Sequence, residues 1–494
     1  MPNVLKSISI LVLFCGAASV FARTQELKTL VTFDGSNGAF SDAGVIQADN
    51  GGLYGATLGG GETETCPSGC GTVFRLPPSA TLTTTYNFCE LANCADGESP
   101  DSLVQAADGN FYGTTGGGGL YKCYNLGCGT VFKITPSGVF STLYEFCPSG
   151  CGEGALVPGG LIAAADGNLY GVTTGGGAND WGSIFEVSPT GTLTTLHSFE
   201  VVDGAFPNTL IQASDGNFYG AAGAGGAYGY GTLFKMTPSG TLTTLHSFDL
   251  LDGSGPVGLV QAADGNLYGT TAAGGANDSG TCSPGCGTVF KINAAGDLIT
   301  LYSFCSATDC ADGSTPNRLI QGTDGNFYGT TVTGGAYQTC LDGCGTIFRL
   351  TAAGGFSTIY SFCAKAGCAD GATPVAAPMQ ATDGAFYGTT QAGGEVNCGG
   401  SVTGCGTVYR LSVGLGPFVM TRPSFGTVGT GVTILGSDLT GATGVSFNGT
   451  PAVFTVVSGS EIKVTVPAGA TSGIVEVSIA GRVLKSNAIF RVKP

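Results

Sequence analysis

The stretch Leu-Val-Gln-Ala-Ala-Asp-Gly-Asn-Phe-Tyr-Gly-Thr-Thr, at residues 103–115, decides the fold of this chain of 494 residues. Two short apolar runs flank Asp108-Gly109-Asn110, and an Asp-Gly pair is a strong signal for a tight β-hairpin, because glycine tolerates the positive φ that the turn requires. The signal returns every 49 to 60 residues, and its tyrosine stands at Tyr54, Tyr112, Tyr170, Tyr219, Tyr268, Tyr328 and Tyr387. A fixed period of this size predicts one supersecondary unit that is repeated seven times.

Each unit is predicted to contain four short antiparallel strands. In the unit at residues 103–146 they are Leu103–Ala106, Phe111–Thr115, Gly129–Ile134 and Val139–Phe146. The turn between the third and fourth strands, Thr135–Gly138, has Pro and Gly at positions that suit a tight turn. Seven units of four strands predict an all-β fold, a seven-bladed β-propeller over residues 27–412.

The two ends of the repeat region favour a closed ring. The last unit has a third strand that ends at Leu411, but no fourth strand follows it. A strand that matches the other fourth strands, Leu27–Phe33, precedes the first unit. The N-terminal strand is therefore predicted to complete the last blade, which removes the exposed edges of an open sheet. The alternative is an open β-solenoid, which would not need this strand.

Composition and charge restrict the partners and the compartment. The net charge of −16 argues against binding to nucleic acid or to anionic lipid. Residues 1–22 are predicted to be a secretory signal peptide, with Lys6 before the apolar run Ile8–Val20 and a cleavage site after Ala22. A lipoprotein signal at Cys15 is the alternative. No later apolar stretch is long enough for a membrane helix, so a secreted or cell-surface protein is expected.

The cysteines also indicate an oxidising compartment. Beyond Cys15 there are 18, in nine close pairs that the sequence predicts to be local disulfides: Cys66/Cys70, Cys89/Cys94, Cys123/Cys128, Cys147/Cys151, Cys282/Cys286, Cys305/Cys310, Cys340/Cys344, Cys363/Cys368 and Cys398/Cys405. Strand topology places all nine on one end of the sheets. Metal binding by the Cys-x3-Cys pairs is the alternative, although zinc sites usually have tighter pairs or nearby histidine.

Two repeated strings of the sequence resemble a known family. Ala-Asp-Gly-Asn-Phe-Tyr-Gly-Thr-Thr and Cys-Gly-Thr-Val-Phe-Lys-Ile-Thr are similar to the GloVer tandem repeat of bacterial exported proteins, over about residues 27–412. The Asp-Gly-Asn-x-Tyr-Gly-Thr string also resembles the sensor-propeller repeats of two-component regulators. The resemblance implies no catalytic residues.

The C-terminal segment differs from the repeats. After a linker at residues 413–416, residues 417–494 are predicted to be an immunoglobulin-like sandwich. Its strands are predicted at Thr430–Gly436, Val445–Gly449, Ile462–Pro467 and Gly473–Val477. The segment is similar to an IPT/TIG domain, and this resemblance implies a spacer or an interaction module.

Two sets of aspartates and the two histidines are the titratable candidates. The hairpin set, Asp49, Asp108, Asp166, Asp215, Asp264, Asp324 and Asp383, is expected to cap its own turns. The loop set, Asp34, Asp96, Asp203, Asp252, Asp312 and Asp370, with Glu153 in the remaining repeat, is expected to hold loops. Ca²⁺ binding by the loop set is the alternative, but no Asp-x-Asp-x-Asp-Gly loop supports it, and no cofactor is predicted. His197 and His246 stand where other repeats have tyrosine and are expected to be structural.

One candidate binding site departs from the repeat. Trp181, the sole tryptophan, stands where other repeats have the second cysteine of the loop, and Tyr230 takes that place in the next repeat. The simple interpretation is that an aromatic ring packs where a disulfide would otherwise lie. The functional interpretation is a notch for a sugar or peptide, formed by Asn179, Asp180, Trp181, Asp203, Tyr228 and Tyr230.

The sequence therefore favours a non-enzymatic binding or scaffold protein that recognises carbohydrate or protein through its cysteine-bearing end. The alternative is a carbohydrate-active enzyme, a glycosidase or lyase. That enzyme would need two carboxylates that depart from the repeat and face each other across a pocket, and the sequence shows no such pair clearly.

Overall fold

The computed structural model describes residues 25–62, 66, 68–78, 81–123, 126–147, 151, 160–164, 166–278, 282–394, 398 and 404–493. The predicted signal peptide at residues 1–22 and the acidic residue Glu153 lie outside them. The described chain is all-β, as predicted, and consists of repeated four-stranded antiparallel sheets. Its short 3-10 turns are Ala92–Cys94, Thr308–Cys310, Ala366–Cys368 and Leu439–Gly441. None of the described helices is long and apolar enough to cross a membrane.

The repeat region forms seven such sheets, which we number along the chain. Sheet 1 consists of Val45–Gln47, Leu53–Thr57, Thr72–Leu76 and Thr83–Asn87. Sheet 2 consists of Glu98–Gln105, Phe111–Gly117, Thr130–Ile134 and Phe140–Glu145, and a two-residue ladder, Lys122–Cys123 with Leu126–Gly127, lies in its second loop. Sheet 3 consists of Leu161–Ala163, Leu169–Thr173, Ser183–Val187 and Leu193–Ser198. Sheet 4 consists of Ala205–Gln212, Phe218–Ala224, Thr232–Met236 and Leu242–Ser247.

The remaining sheets follow the same order, except that sheet 7 takes its fourth strand from the other end of the chain. Sheet 5 consists of Ser254–Gln261, Leu267–Ala273, Thr288–Ile292 and Leu298–Ser303. Sheet 6 consists of Ser314–Gln321, Phe327–Thr333, Thr346–Leu350 and Phe356–Ser361. Sheet 7 consists of Met379–Gln380, Phe386–Thr390, Thr407–Ser412 and the N-terminal strand Glu26–Thr32. The N-terminal strand pairs antiparallel with the third strand, from Glu26 opposite Ser412 to Thr32 opposite Thr407.

Sheet 2 shows why the repeated residues form strands. Its second strand, Phe111–Gly117, is buried along nearly its whole length, which suits β-branched and aromatic residues packed on both faces. The first strand begins at Glu98 rather than at Leu103, because the residues around Pro100 also pair with the second strand, across a bulge. The sequence prediction missed this extension because proline usually interrupts a strand.

The Tyr-Gly pair of the repeat has a packing role. A Cβ atom on Gly113 would lie 2.3 Å from Phe132 Cζ and 2.3 Å from the carbonyl oxygen of Ser102. The same close approach recurs for Gly55 with Phe74, Gly171 with Phe185, Gly220 with Phe234, Gly269 with Phe290, Gly329 with Phe348 and Gly388 with Tyr409. The glycine therefore leaves room for the aromatic ring of the third strand. The tyrosine joins neighbouring sheets, since the Tyr54 ring stacks on Phe111 with ring centroids 4.2 Å apart.

A hydrogen bond between neighbouring sheets recurs along the repeats. The side-chain oxygen of a glutamine at the end of a first strand accepts a backbone N–H from the hairpin of the preceding sheet. The pairs are Gln105 with Asp49, Gln261 with Ser214, Gln321 with Ala263, Gln380 with Thr323 and Gln47 with Thr382, at 2.8–3.0 Å. The last pair joins sheet 7 to sheet 1.

The C-terminal segment has a separate core. One sheet contains Met420–Arg422, Gly431–Leu435, Glu461–Thr465 and Phe454–Val456, and another contains Thr450–Ala452, Ala442–Phe447, Val475–Ile479 and Arg482–Lys485. Phe425–Gly426 and Arg491–Val492 form a parallel pair. The buried side chains of both sheets, among them Ile434, Phe447 and Val477, pack into one cluster.

The C-terminal segment rests on the hairpins of the repeat region. The Arg422 guanidinium donates hydrogen bonds to Asp49 Oδ1 at 3.0 Å, to Gln105 Oε1 at 2.8 Å and to the carbonyl oxygen of Gln47 at 2.7 Å. Arg491 Nη1 reaches the carbonyl oxygen of Ser214 at 2.7 Å. These contacts lie at the hairpins of sheets 1, 2 and 4, so the segment covers that end of the sheets.

Candidate functional site

The sheets have two different ends, because successive connections of an antiparallel meander alternate. The Asp-Gly hairpins and the turns between third and fourth strands lie at one end, which we call the hairpin face. The loops between second and third strands and the connections from one sheet to the next lie at the other end, which we call the Cys face. The Cys face has a recurring link of its own, for example Thr315 N to the Cys286 carbonyl oxygen at 3.0 Å, and Phe40 N to that of Cys405 at 3.0 Å.

The cysteines of the Cys face form nine local disulfides, in the pairs that the sequence predicted. The structure adds a feature that the sequence analysis missed. Eight of the pairs come together two by two, and each group of four sulfur atoms lies within 4.8 Å: Cys66, Cys70, Cys89 and Cys94; Cys123, Cys128, Cys147 and Cys151; Cys282, Cys286, Cys305 and Cys310; and Cys340, Cys344, Cys363 and Cys368. Metal ions bind the thiolate form of cysteine, and a sulfur atom in a disulfide is not a thiolate. While the disulfides are intact, each group is therefore a pair of adjacent disulfides.

The hairpin aspartates cap their own turns. Asp264 Oδ1 accepts the N–H of Asn266 at 3.1 Å, and Asp264 Oδ2 accepts the Tyr268 hydroxyl at 2.9 Å and lies 2.9 Å from Lys291 Nζ. The two hydrogen bonds, from the turn N–H and from the tyrosine hydroxyl, recur at Asp108, Asp166, Asp215, Asp324 and Asp383.

The prediction for Asp49 was wrong. In the first repeat the residue four positions before the tyrosine is Asn50, whose Oδ1 accepts the N–H of Gly52 at 3.0 Å and whose Nδ2 donates to the Tyr54 hydroxyl at 2.9 Å. Asp49 lies one position earlier and pairs instead with Arg422. It therefore links the repeat region to the C-terminal segment.

We expect the stabilising contribution of Asp264 to be complete above about pH 4 and to be lost between about pH 4 and about pH 2. Burial raises its pKa, but the hydrogen bonds from Asn266, Lys291 and Tyr268 outweigh that effect and lower the pKa to about 2. The carboxylate therefore stabilises the folded chain above the unfolded pKa of about 4, and this contribution disappears as the pH falls towards 2. Asp264→Asn should reduce the proton uptake on unfolding at pH 3 by up to about one proton per chain. Calorimetric unfolding from pH 2 to 7 would measure this, with Glu62→Gln, an exposed side chain, as control. An unchanged pH profile in Asp264→Asn would contradict the assignment.

The aspartates of the Cys face hold loops, as expected. Asp96 accepts the Tyr86 hydroxyl at 2.7 Å and the N–H groups of Glu90 and Leu91, and Asp312 and Asp370 do the same in their repeats. His197 and His246 replace the tyrosine and contact Asp203 at 2.9 Å and Asp252 at 2.6 Å. These carboxylates are occupied by donors from their own loops, so the geometry gives no support to the Ca²⁺ alternative.

The predicted notch residues fall into two groups. Asn179 donates to the carbonyl oxygen of Phe199 at 3.2 Å, and Asp203 binds His197 and the N–H of Glu200, so both residues hold loops. Trp181 packs edge-to-face on Phe206, with ring centroids 5.5 Å apart. Its backbone carbonyl accepts the Phe206 N–H at 3.0 Å, as the second cysteine does in other repeats.

The second group is a solvent-facing apolar surface. Tyr228 is 63% exposed and Tyr230 36% exposed, and Asp180 lies beside Trp181 with a positive φ. Three residues of this surface were not predicted from the sequence: Val201, Val202 and Phe206. Of these, Val202 is 75% exposed. A backbone hydrogen bond of 2.7 Å from Gly226 to Val201 joins the tyrosine loop to the valines. We call Trp181, Val201, Val202, Phe206, Tyr228 and Tyr230 the aromatic patch. The valines could have been identified from their position, because they lie in the connection from sheet 3 to sheet 4, and the equivalent connection in other repeats contains a cysteine pair.

A second concave region lies on the hairpin face, next to the C-terminal segment. Its lining includes Lys28, Asp383, Tyr387, Arg410 and Ser437. Arg410 pairs with Asp383 at 3.1 Å, which is the same ion pair that Lys291 forms with Asp264. The charged groups of this cleft therefore repeat a structural motif.

Comparisons with known proteins agree with this architecture. A family model described as the Gloeobacter/Verrucomicrobia repeat matches residues 16–155, 124–283 and 282–450, and a model of the IPT/TIG domain matches residues 420–489. No curated protein matches the chain.

Solved structures show the fold alone, because sequence identity is low. A streptogramin B lyase is 13% identical with a TM-score of 0.51, and the match covers 79% of this chain and 98% of the lyase. A fungal alcohol oxidase of the AA5 family, solved with copper, is 12% identical with a TM-score of 0.53. The match covers 95% of this chain and 99% of the oxidase.

Proposed function

Because the chain belongs to the Gloeobacter/Verrucomicrobia repeat family and carries an IPT/TIG domain after its repeats, we propose that it is a secreted or cell-surface binding protein without enzymatic activity. Its seven sheets are the blades of one closed propeller, and its Cys face carries the ligand surface. The predicted signal peptide and the many disulfides support export to an oxidising compartment.

Contacts between sheet 7 and sheet 1 support the closed ring. The link from Gln47 to Thr382 repeats the link between other neighbouring sheets, and so does the link from Phe40 to Cys405. A third link is the hydrogen bond from Thr389 Oγ1 to the carbonyl oxygen of Ser41 at 3.4 Å. It is equivalent to the 3.1 Å bond from Thr330 Oγ1 to the carbonyl oxygen of Ala376, which joins sheets 6 and 7. An open solenoid would leave the first and last sheets unpaired with each other.

The aromatic patch is the observation that carries the proposed binding function. Aromatic faces beside backbone and carboxylate groups suit the apolar faces and hydroxyls of sugars, and they also suit protein side chains. The patch lies on the two repeats that lack disulfide-bonded loops, and Val202 and Tyr228 are exposed there. We propose that it recognises carbohydrate, with a protein partner as the other candidate.

A glycan array with the oxidised mature chain tests this proposal. We expect wild-type protein to bind at least one glycan class, Trp181→Ala to lose that binding, and Tyr337→Ala to keep it. Tyr337 is the matched control, because it is an exposed aromatic residue in the corresponding loop of sheet 6. Binding that survives EDTA would agree with recognition without metal. If folded wild-type protein binds no glycan, or if Trp181→Ala binds normally, carbohydrate recognition at the patch is wrong.

A further inference from the structure

The repeats also differ chemically along the first strands, where neighbouring sheets adjoin. A shared proline is followed there by Asp101-Ser102, Asn208-Thr209, Val257-Gly258, Asn317-Arg318 and Val375-Ala376 in sheets 2, 4, 5, 6 and 7, and sheet 1 has Ser41-Asp42. These residues link neighbouring first strands, as when Asn208 Nδ2 donates to the Pro256 carbonyl oxygen at 2.8 Å and Thr209 Oγ1 donates to that of Val257 at 3.1 Å. We call them the inner wall. Its charged members, Asp42, Asp101 and Arg318, have no counterpart in the other repeats.

Arg318 extends across a neighbouring sheet. Its Nη2 donates to the carbonyl oxygen of Asn208 in sheet 4 at 3.0 Å, after its stem passes Gly258 of sheet 5, where a Cβ atom would lie 2.7 Å from Arg318 Cγ. The side chain is exposed, although protein surrounds it closely enough that burial lowers its pKa. A guanidinium has five N–H donors, and this hydrogen bond uses one of them. Among the described carboxylates, none forms an ion pair with Arg318 within 4.0 Å.

Two carboxyl groups belong to the same wall. Asp101 accepts the Thr114 hydroxyl at 2.7 Å, and both Asp42 and Arg318 lie near enough to influence its charge. Asp42 Oδ1 and Asn208 Oδ1 are buried atoms without a hydrogen-bond partner among the described residues. Burial raises the pKa of Asp101 to about 7 and that of Asp42 to about 6, against the lowering effects of Thr114 and Gln391. The wall therefore offers two buried acceptor atoms that lack a donor among the described residues, and a guanidinium that forms no ion pair with a described carboxylate.

We propose that the inner wall binds a small zwitterion, an α-amino acid, with its carboxylate on Arg318 and its ammonium group on Asp101 and Asp42. Guanidinium matches a carboxylate with two parallel hydrogen bonds, and carboxylates accept all three ammonium protons. A divalent cation would be repelled by Arg318, and a simple anion by the two aspartates. A neutral sugar would leave the charges uncompensated. This site lies apart from the aromatic patch and does not depend on it.

The position of the C-terminal segment decides how such a ligand would enter. The segment contacts the hairpins of sheets 1, 2 and 4 through Arg422 and Arg491, and that of sheet 7 through Ser437, whose hydroxyl lies 3.0 Å from Thr382 Oγ1. These contacts restrict access from the hairpin face, so the proposal places the entry of the amino acid at the Cys face.

The first experiment screens the twenty protein α-amino acids against the oxidised full chain, by thermal shift and then by calorimetric titration of the best binder. We expect at least one to bind, and we expect its N-acetyl and its carboxamide derivative each to bind at least tenfold more weakly, since each lacks one charge. Absence of binding by all twenty, equal binding of either derivative, or binding of Ca²⁺ or a neutral sugar at the wall in place of amino acids would overturn the proposal.

Variants locate the site. Arg318→Gln and Asp101→Asn should each weaken amino acid binding at least tenfold, whereas Asp309→Asn, an exposed residue on the Cys face of the same repeat, should not. Trp181→Ala should bind the amino acid normally, which separates this site from the aromatic patch. Titrations at pH 6.5 in two buffers of different ionisation enthalpy should show proton release that is clearly smaller in Asp101→Asn, a signature that a purely structural change would not produce. Normal binding by folded Arg318→Gln would exclude the inner wall.

Discussion

Replacing Gly113 with alanine is expected to destabilise the folded chain by about 2 kcal/mol. The new methyl group would lie 2.3 Å from Phe132 Cζ and from the Ser102 carbonyl oxygen, so the ring and the first strand of sheet 2 would both have to move. Calorimetry should show a lower unfolding temperature. The far-ultraviolet circular dichroism spectrum of the folded protein should be unchanged.

Gly116, on the same strand, provides the matched control. A Cβ atom there would meet the Ser99 carbonyl oxygen at an ordinary 3.6 Å. Gly116→Ala should therefore be neutral or slightly stabilising, because it reduces the freedom of the unfolded chain. If both variants lose the same stability, the packing role of the Tyr-Gly motif would be wrong.

Arg422→Ala is expected to release the C-terminal domain from the hairpin face. The substitution removes three hydrogen bonds and leaves the Asp49 carboxylate without its ion-pair partner. Loss of one partner from a largely buried charged network destabilises the contact by about 3 kcal/mol, which is roughly a hundredfold increase in the undocked population. Limited proteolysis should then cut the linker at residues 413–416 much faster, and calorimetry should resolve two transitions.

Lys485→Ala is the control for this release. Lys485 pairs with Glu476 at 3.0 Å within the C-terminal domain, so its loss should not change cleavage of the linker. Equal linker cleavage in Arg422→Ala and wild-type protein would show that other contacts hold the domain in place.

The features that the sequence predicted well are local ones. A hairpin depends on residues within a few positions of one another, so Asp108 and Gly109 indicated their turn directly. The cysteine pairs were equally accessible, because each bridge spans four to seven residues. Asp49 was misassigned because the first repeat has asparagine, Asn50, at the capping position and an aspartate one residue earlier, so only counting back from Tyr54 identifies the capping residue.

The features that the sequence did not reveal depend on how sheets stack. Asp42 and Asp101 are carboxylates that differ from the repeat pattern, and the sequence analysis did not identify such a pair when it weighed the enzyme hypothesis. Arg318 lies on a strand that is far along the chain from both. Stacking of the first strands brings their charges together, which no spacing in the sequence indicates. The four-sulfur groups were not predicted because a whole β-hairpin separates their two loops along the chain.

The pairing of Glu26–Thr32 with Thr407–Ser412 links the order of synthesis to the order of folding. A ribosome makes the N-terminal strand first, yet the partner of that strand in sheet 7 is made only after every other repeat. The short disulfide loops can close as each repeat appears, whereas the N-terminal strand must wait for almost the whole chain. Sheet 7 can therefore be completed only in a late step, after the last repeat has been made. Any product that stops before residue 407 retains an orphan strand at its N-terminus, which marks it for pairing with other chains or for degradation.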